Sequence, residues 1–179
     1  MKNTIYTVIL FFCFHNVNSQ NDVTNYILLD NFISTLNPSD NINIYRNPPN
    51  FNNQQIFFSK SFLNDYTYPT IGVDRKRVKK LIKVLDFNYM RSQSSSTTDW
   101  DFSMSKYSIK NYIENPYNHF DKIKRYKVSK PIFSKDQKWA FIYYEQICGF
   151  IDCSSSNVIV FKNCKGKWKL YLNIPISIS

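Results

Sequence analysis

Glu145 and His119 are the two side chains of this sequence with the chemistry of a catalyst. Glu145 sits among Tyr143, Tyr144 and Gln146, in a stretch from Trp139 to Cys148 that is apolar on both sides. A carboxylate there loses its water and holds its proton more tightly, which suits a general acid or a ligand contact. His119, within Asn115-Pro-Tyr-Asn-His-Phe120, is the only histidine after residue 19 and the natural base for nucleophilic chemistry. Together they are candidates for a hydrolase working in a sheet-lined cleft. The competing readings are a strand-end glutamate that reaches solvent or pairs with a lysine, and a loop histidine. Paired-carboxylate chemistry needs two acids facing across a cleft. Here the glutamates number two, Glu114 and Glu145, and the aspartates fall mostly in turn or cap contexts. The three glycines, Gly72, Gly149 and Gly166, are too dispersed for a phosphate-cradling loop.

Cysteines come next. Cys148, Cys153 and Cys164 remain after residue 19. In an oxidising compartment a disulfide is the default. A hairpin closing across 149–156 sets Cys148 near Asn157 and Cys164 opposite about Phe141. At roughly 3.3 Å per residue those cysteines stand about 20 Å apart, which excludes a bridge between them in that register. Cys148–Cys153 is the expected pair, leaving Cys164 as a small buried hydrophobe or an intermolecular link. One histidine and a Cys-x4-Cys spacing make a poor zinc set, and no Cys-x-x-Cys opens a helix, so neither metal nor cofactor is expected.

The third chemical feature is charge. Arg75, Arg77, Lys79, Lys80 and Lys83 form a basic run with Val78, Leu81, Ile82 and Leu85 on one side, the pattern of a basic amphipathic helix, although its β-branched residues leave a strand open. It is the candidate binding surface for an acidic polymer or the cell envelope, or else a solvated face. No aromatic interrupts it to stack on bases. The net charge of +10 agrees in sign. However, a composition rich in Asn, Lys and Ile and poor in Ala and Gly is what AT-rich codons produce, and it raises lysine content without any partner.

These groups need elements to hold them. Residues 22–36 carry Val23, Tyr26, Ile27, Phe32 and Ile33 near helical spacing, with Asn37-Pro38 as a stop. Residues 37–55, rich in Asn, Pro and Gln, read as loop. Asp86 is an N-cap candidate for a short helix, and a polar loop from Ser94 closes at Asp99-Trp-Asp101. From about residue 123 the pattern is an antiparallel meander. Trp139–Cys148 reads as a central strand and Val158–Phe161 as its neighbour. In Lys167–Ile174, Trp168, Leu170, Leu172 and Ile174 face one way, with Lys167, Lys169 and Asn173 opposite. Ser134–Lys138 and Asn163–Lys167 supply turns, Gly166 being suited to positive φ. The fold class is α+β: N-terminal helix or helices packed on a C-terminal antiparallel meander of about four strands.

Residues 1–19 have the three parts of a secretory signal peptide: Lys2, the apolar run Ile5–Phe14, and Val17-Asn18-Ser19 before a cut at Gln20. The apolar run covers about 15 Å as a helix, half a bilayer, so it does not anchor the chain. No later segment is long enough to span a membrane. The expected organisation is a signal peptide, 1–19, and one α+β domain, 20–179, secreted or periplasmic.

Ser129-Lys-Pro131-Ile-Phe133-Ser134-Lys-Asp136-Gln-Lys138-Trp-Ala140, then Cys148-Gly149, then Lys167-Trp168-Lys169, resembles a pattern in small secreted proteins of Bacteroidetes; Asp86–Gln93 is similar to a second, upstream piece. The likeness covers about a third of the chain. It implies an exported α+β domain and no particular activity. The pattern has a closer Cys-Gly-x-x-Cys-Gly pair, whereas here four residues separate Cys148 from Cys153 and Ser154 replaces the second Gly. Pro131–Lys138 also resembles one repeat of a TolB-type β-propeller, but it occurs once and a propeller needs several. The sequence therefore predicts an exported, non-catalytic interaction module whose ligand it does not name, with a hydrolase and a polyanion binder as alternatives.

Overall fold

A computed structural model describes residues 22–36, 42–49, 74–93, 98–112, 124–147 and 154–178. They contain three α-helices: α1 over 22–35, α2 Arg75–Ile82 and α3 Phe87–Ser92. The strands are β1 Ile42–Tyr45, β2 Ile109–Tyr112, β3 Arg125–Val128, β4 Ile132–Phe133, β5 Trp139–Ile147, β6 Ser155–Cys164 and β7 Lys167–Ile178. They form one sheet in the order β2-β1-β3-β5-β6-β7, with β4 also on β5. From β3 onward the pairing is antiparallel, as the alternation predicts. β1 runs parallel to both β2 and β3, so the four expected strands are seven, in a mixed sheet. β1 lies inside the stretch read as loop. Ile42 and Ile44 are too short an alternation to outweigh the surrounding Asn and Pro, and burial against α1 makes them a strand.

β5 is apolar on both sides because both of its faces are covered. Ala140, Ile142 and Tyr144 share a core with Leu28, Leu29, Phe32 and Ile33 of α1, where the Phe32 and Tyr144 rings lie 4.9 Å apart. Trp139, Phe141 and Tyr143 share the other core with Val78, Leu81 and Ile82 of α2 and Met90 of α3. Asp74 starts α2 by accepting from the Lys76 N–H (2.9 Å) and Arg77 N–H (3.2 Å), and Asp86 starts α3 by accepting from the Tyr89 N–H (3.1 Å). Just past α3 the Gln93 amide imitates a strand at β4: its Nε2 donates to the Phe133 carbonyl (2.7 Å), and its Oε1 accepts from the Phe133 N–H (3.1 Å).

Two register expectations are corrected. Tyr144, not Cys148, faces Asn157, and Phe141 faces Val160 rather than Cys164. The observed register sets Val158, Ile159, Val160 and Phe161 against Tyr143, Ile142, Phe141 and Ala140; a hairpin closing across 149–156 would have put Val160 against Glu145. In β7 the single apolar face is broken at Tyr171. Val160 pairs with Leu172 and Phe161 with Leu170, so Tyr171 is an extra residue in a bulge. Leu172 and Ile174 therefore join α2's core, Trp168 packs on Phe133 of the α1 core at 5.9 Å, and Leu170 is left exposed. A second shift occurs beside Pro175, which an edge strand tolerates because no neighbour needs its missing N–H. At the β6–β7 turn Lys165 (φ 56°) and Gly166 (φ 82°) are both left-handed, and the Gly166 N–H donates to Asn163 Oδ1 at 2.8 Å.

Candidate functional site

Glu145 lies near the end of β5 on the α2 side of the sheet, half-buried rather than enclosed. Its cross-strand neighbours are Lys127 on β3 and Ser156 on β6. Tyr143, two residues back on the same face, donates its hydroxyl to Glu145 Oε1 at 2.8 Å. The Lys127 ammonium stands 5.1 Å from the centre of the Tyr45 ring, and the buried Arg125 occupies the next row. Beyond the ends of the apolar rows the sheet face thus turns polar, with Glu145 built into it. His119, the proposed partner of Glu145, lies outside the described residues, as do Cys148 and Cys153. Cys164 is a half-buried thiol ending β6, at the opposite end of that strand from Ser155, about 30 Å away at 3.3 Å per residue.

The basic run is helical. Val78, Leu81 and Ile82 point into the core, and the turns between carry Arg75, Lys76, Arg77, Lys79 and Lys80 outward, with Lys83 at the C-cap. Lys76 belongs to this surface, although the sequence reading left it out. α2 is about 12 Å long at 1.5 Å per residue, and it contains no acid. The two cations in its last turn suit the negative end of the helix dipole. Arg77 differs from the others. Its Nη1 donates to the Tyr171 carbonyl (3.2 Å) on the exposed side of β7, its Nε is 3.2 Å from Asp74 Oδ2, and its guanidinium carbon lies 5.4 Å from the Tyr171 ring centre. Arg77 clamps α2 to the sheet edge while Lys76, Lys79, Lys80 and Lys83 extend into solvent.

The segment Ser129–Ala140 builds a strand link and a turn. Ser129 Oγ accepts from the Tyr143 N–H at 3.0 Å, tying the β3–β4 link to β5. Ser134 Oγ accepts from the Trp139 N–H (3.0 Å) and donates to Asp136 Oδ1 (2.6 Å), which also accepts from the Lys138 N–H (3.2 Å). The Ser134 hydrogen bond is the main reason the Asp136 carboxyl titrates below the usual range. Ala140 is buried without exposure. A shallow 370 Å³ depression beside this turn is lined by Val84, Asp86, Lys135 and Asp136, but both of its acids already hold backbone N–H groups.

On the α1 side a corner forms around Asp99-Trp-Asp101. Trp100, almost wholly buried, donates Nε1–H to the Val128 carbonyl at 2.8 Å and meets Tyr26 edge-on at 5.5 Å. Lys130 lays its ammonium 3.7 Å from a Trp100 ring centre. Burial pulls the Lys130 ammonium below its ordinary range, against the opposing pull of Asp22, Asp99 and Asp101. The signal available in the sequence was Asp99-Trp-Asp101 alone, which does not say which cation will cover the indole.

Among the described residues no group of His, Cys, Asp and Glu is arranged to hold a metal ion, and no helix is long and apolar enough to cross a membrane. Compared with known proteins, the chain matches no family model, no curated protein and no solved structure.

Proposed function

We propose that the chain is an exported, non-catalytic interaction module that meets an anionic partner, an acidic polymer or the envelope surface, through the outer face of α2. The observation that carries this reading is the division of α2: its apolar residues are all spent on the core, and its outer residues are cations with no acid among them. A helix that needed only solubility would mix both signs, since opposite charges one turn apart add stability and like charges subtract it. The test is chromatography on immobilised heparin. The protein should be retained and released by salt, and Lys79→Gln/Lys80→Gln/Lys83→Gln should elute well before wild type. Elution of wild type with the void at low salt removes the proposal. Export is tested separately by the mass of the protein in the extracytoplasmic fraction, which should begin at Gln20. Glu145, held by the Tyr143 hydroxyl, supports the hydrolase alternative only as a positioned carboxylate. Glu145→Gln should leave heparin retention unchanged.

A further inference from the structure

We infer that the binding face does not end with α2 but continues across Arg77 onto the β6–β7 hairpin, and that the combined surface fits an extended polyanionic polysaccharide. The inference rests on the reading of α2 as the contact face and adds the second half of the surface and the class of ligand.

Arg77 is the joint. Its guanidinium lies on Tyr171, the Tyr171 ring packs against Trp139 at 4.8 Å, and the Lys162 ammonium stands 5.2 Å from the Trp139 ring centre. Cation, ring, ring and cation thus run in series from the helix to β6. Lys169 is directly opposite Lys162 and Lys167 is opposite Cys164. Since Lys162 faces Trp139, the alternation of the strands brings Lys162, Lys167 and Lys169 to the α2 side of the sheet. Lys169 and Lys167 lie about 7 and 13 Å along β7 from Tyr171 at 3.3 Å per residue.

The Lys162–Lys169 pair is the second line of argument. Like charges directly across a strand pair destabilise the sheet. Among the described residues no acidic side chain pairs with Lys162, Lys167 or Lys169. Nor, among the described residues, does an acidic side chain pair with Lys76, Lys79, Lys80 or Lys83, so these lysines and those of the hairpin, far apart in sequence, form one positive surface whose joint, Arg77, is paired with Asp74. A bound polyanion supplies the missing counter-charge to both.

Ligand class follows from the side chains. Apart from Arg75 and the clamped Arg77, the cations are lysines, hydrated point charges without the planar fork that reads a single phosphate or carboxylate bidentately. The spread along β7 alone exceeds the size of one phosphate or sulfate. Trp139 is only 6% exposed and its neighbours occupy its ring, so stacking on nucleic-acid bases is not offered. A repeating anionic sugar chain uses what remains.

Calorimetric titration with a short and a long heparin fragment, at several salt concentrations, tests this on wild type, Lys167→Gln/Lys169→Gln, and Lys79→Gln/Lys80→Gln/Lys83→Gln. Each variant should bind the long fragment about tenfold more weakly or worse, with a salt slope lower by roughly 2 to 3. The short fragment should lose affinity to only one of the two variants. If the hairpin variant binds the long fragment as wild type does while the helix variant is weakened, the extension is wrong and the α2 reading survives. If wild type binds neither fragment, both fall. Duplex DNA or anionic phosphatidylglycerol vesicles competing better than heparin at equal charge would overturn the polysaccharide assignment. The melting temperature of Lys167→Gln/Lys169→Gln should match or exceed wild type, because a repulsion is relieved; a lower one contradicts the uncompensated pair.

Discussion

The sheet is closed on its two faces by helices of opposite charge. α1 carries Asp22 and Asp30 and no Lys or Arg, whereas α2 carries cations and no acid. The attachments differ as well. On the α1 side polar contacts lock the layers together: Trp100 Nε1–H to the Val128 carbonyl, the Asp101 N–H to the Tyr26 hydroxyl (3.0 Å), and the Lys106 N–H to Asp30 Oδ2 (3.3 Å). On the α2 side burial of Val78, Leu81 and Ile82 does most of the holding, with Arg77 clamping α2 and the Gln93 amide fastening the end of α3 to β4. Closing a sheet face requires only an apolar stripe on the helix, so the outward residues are free to differ. The α1 face spends its polar groups on itself. The α2 face keeps its charges in water.

The largest effect that sharpens this contrast comes from Trp100→Ala. It removes a side chain that is 1% exposed, strands the Val128 carbonyl and uncovers Lys130. A loss of about 3–5 kcal/mol in urea unfolding is expected, with heparin retention of the folded fraction unchanged. If unfolding moves by less than about 1 kcal/mol, the α1 corner is not the lock described here. Leu81→Ala comes next, at about 2–4 kcal/mol for a fully buried leucine in the helix that presents the lysines. Retention should fall with it although the net charge is unchanged, since the cations lose their common platform. Full retention would separate binding from the helix.

The smallest effect is an acid limb at the Ser134–Asp136 turn. The folded Asp136 carboxyl titrates below its ordinary value, so the unfolded chain takes up its proton first as pH falls. Its contribution to stability is complete above the ordinary aspartate range and disappears as pH drops through the folded pKa. Asp136→Asn should flatten that part of the pH–stability curve and leave it unchanged at neutral pH apart from a constant offset. An unaltered acid limb would show that the turn carboxylate contributes no pH dependence.

Much of the local structure was legible. The basic run and its apolar side, the Asp86 cap, the double-faced apolar run at Trp139–Ile147 and the positive φ at Gly166 are consequences of neighbours within a few residues, and the structure has them all. β1 was not legible, because four residues among Asn and Pro become a strand only when β2 and β3 flank them and α1 covers them. Nor was the bulge at Tyr171. Apolar residues alternate without a break from Trp168 to Ile174 along the sequence, and the strand departs from that alternation because Trp168 and Leu172 are drawn to cores on opposite sides of the sheet.

Of the candidate site, the helical cations were legible and their partners were not. Arg77 reads like its neighbours until Tyr171, ninety-four residues later, supplies a carbonyl for it. Periodicity, charge and turn chemistry are short-range properties, so the chain by itself determined the strongly patterned elements, β5, β6 and the wet and dry sides of α2, but neither β1 nor the sides of β7 beyond its bulge. The pairing of Lys162 with Lys169, the parallel edge strands and the lysine over Trp100 depend on contacts between distant segments. Those were decided by the packing of two apolar layers on one sheet, where the fit of buried side chains sets the register and carries the surface charges with it.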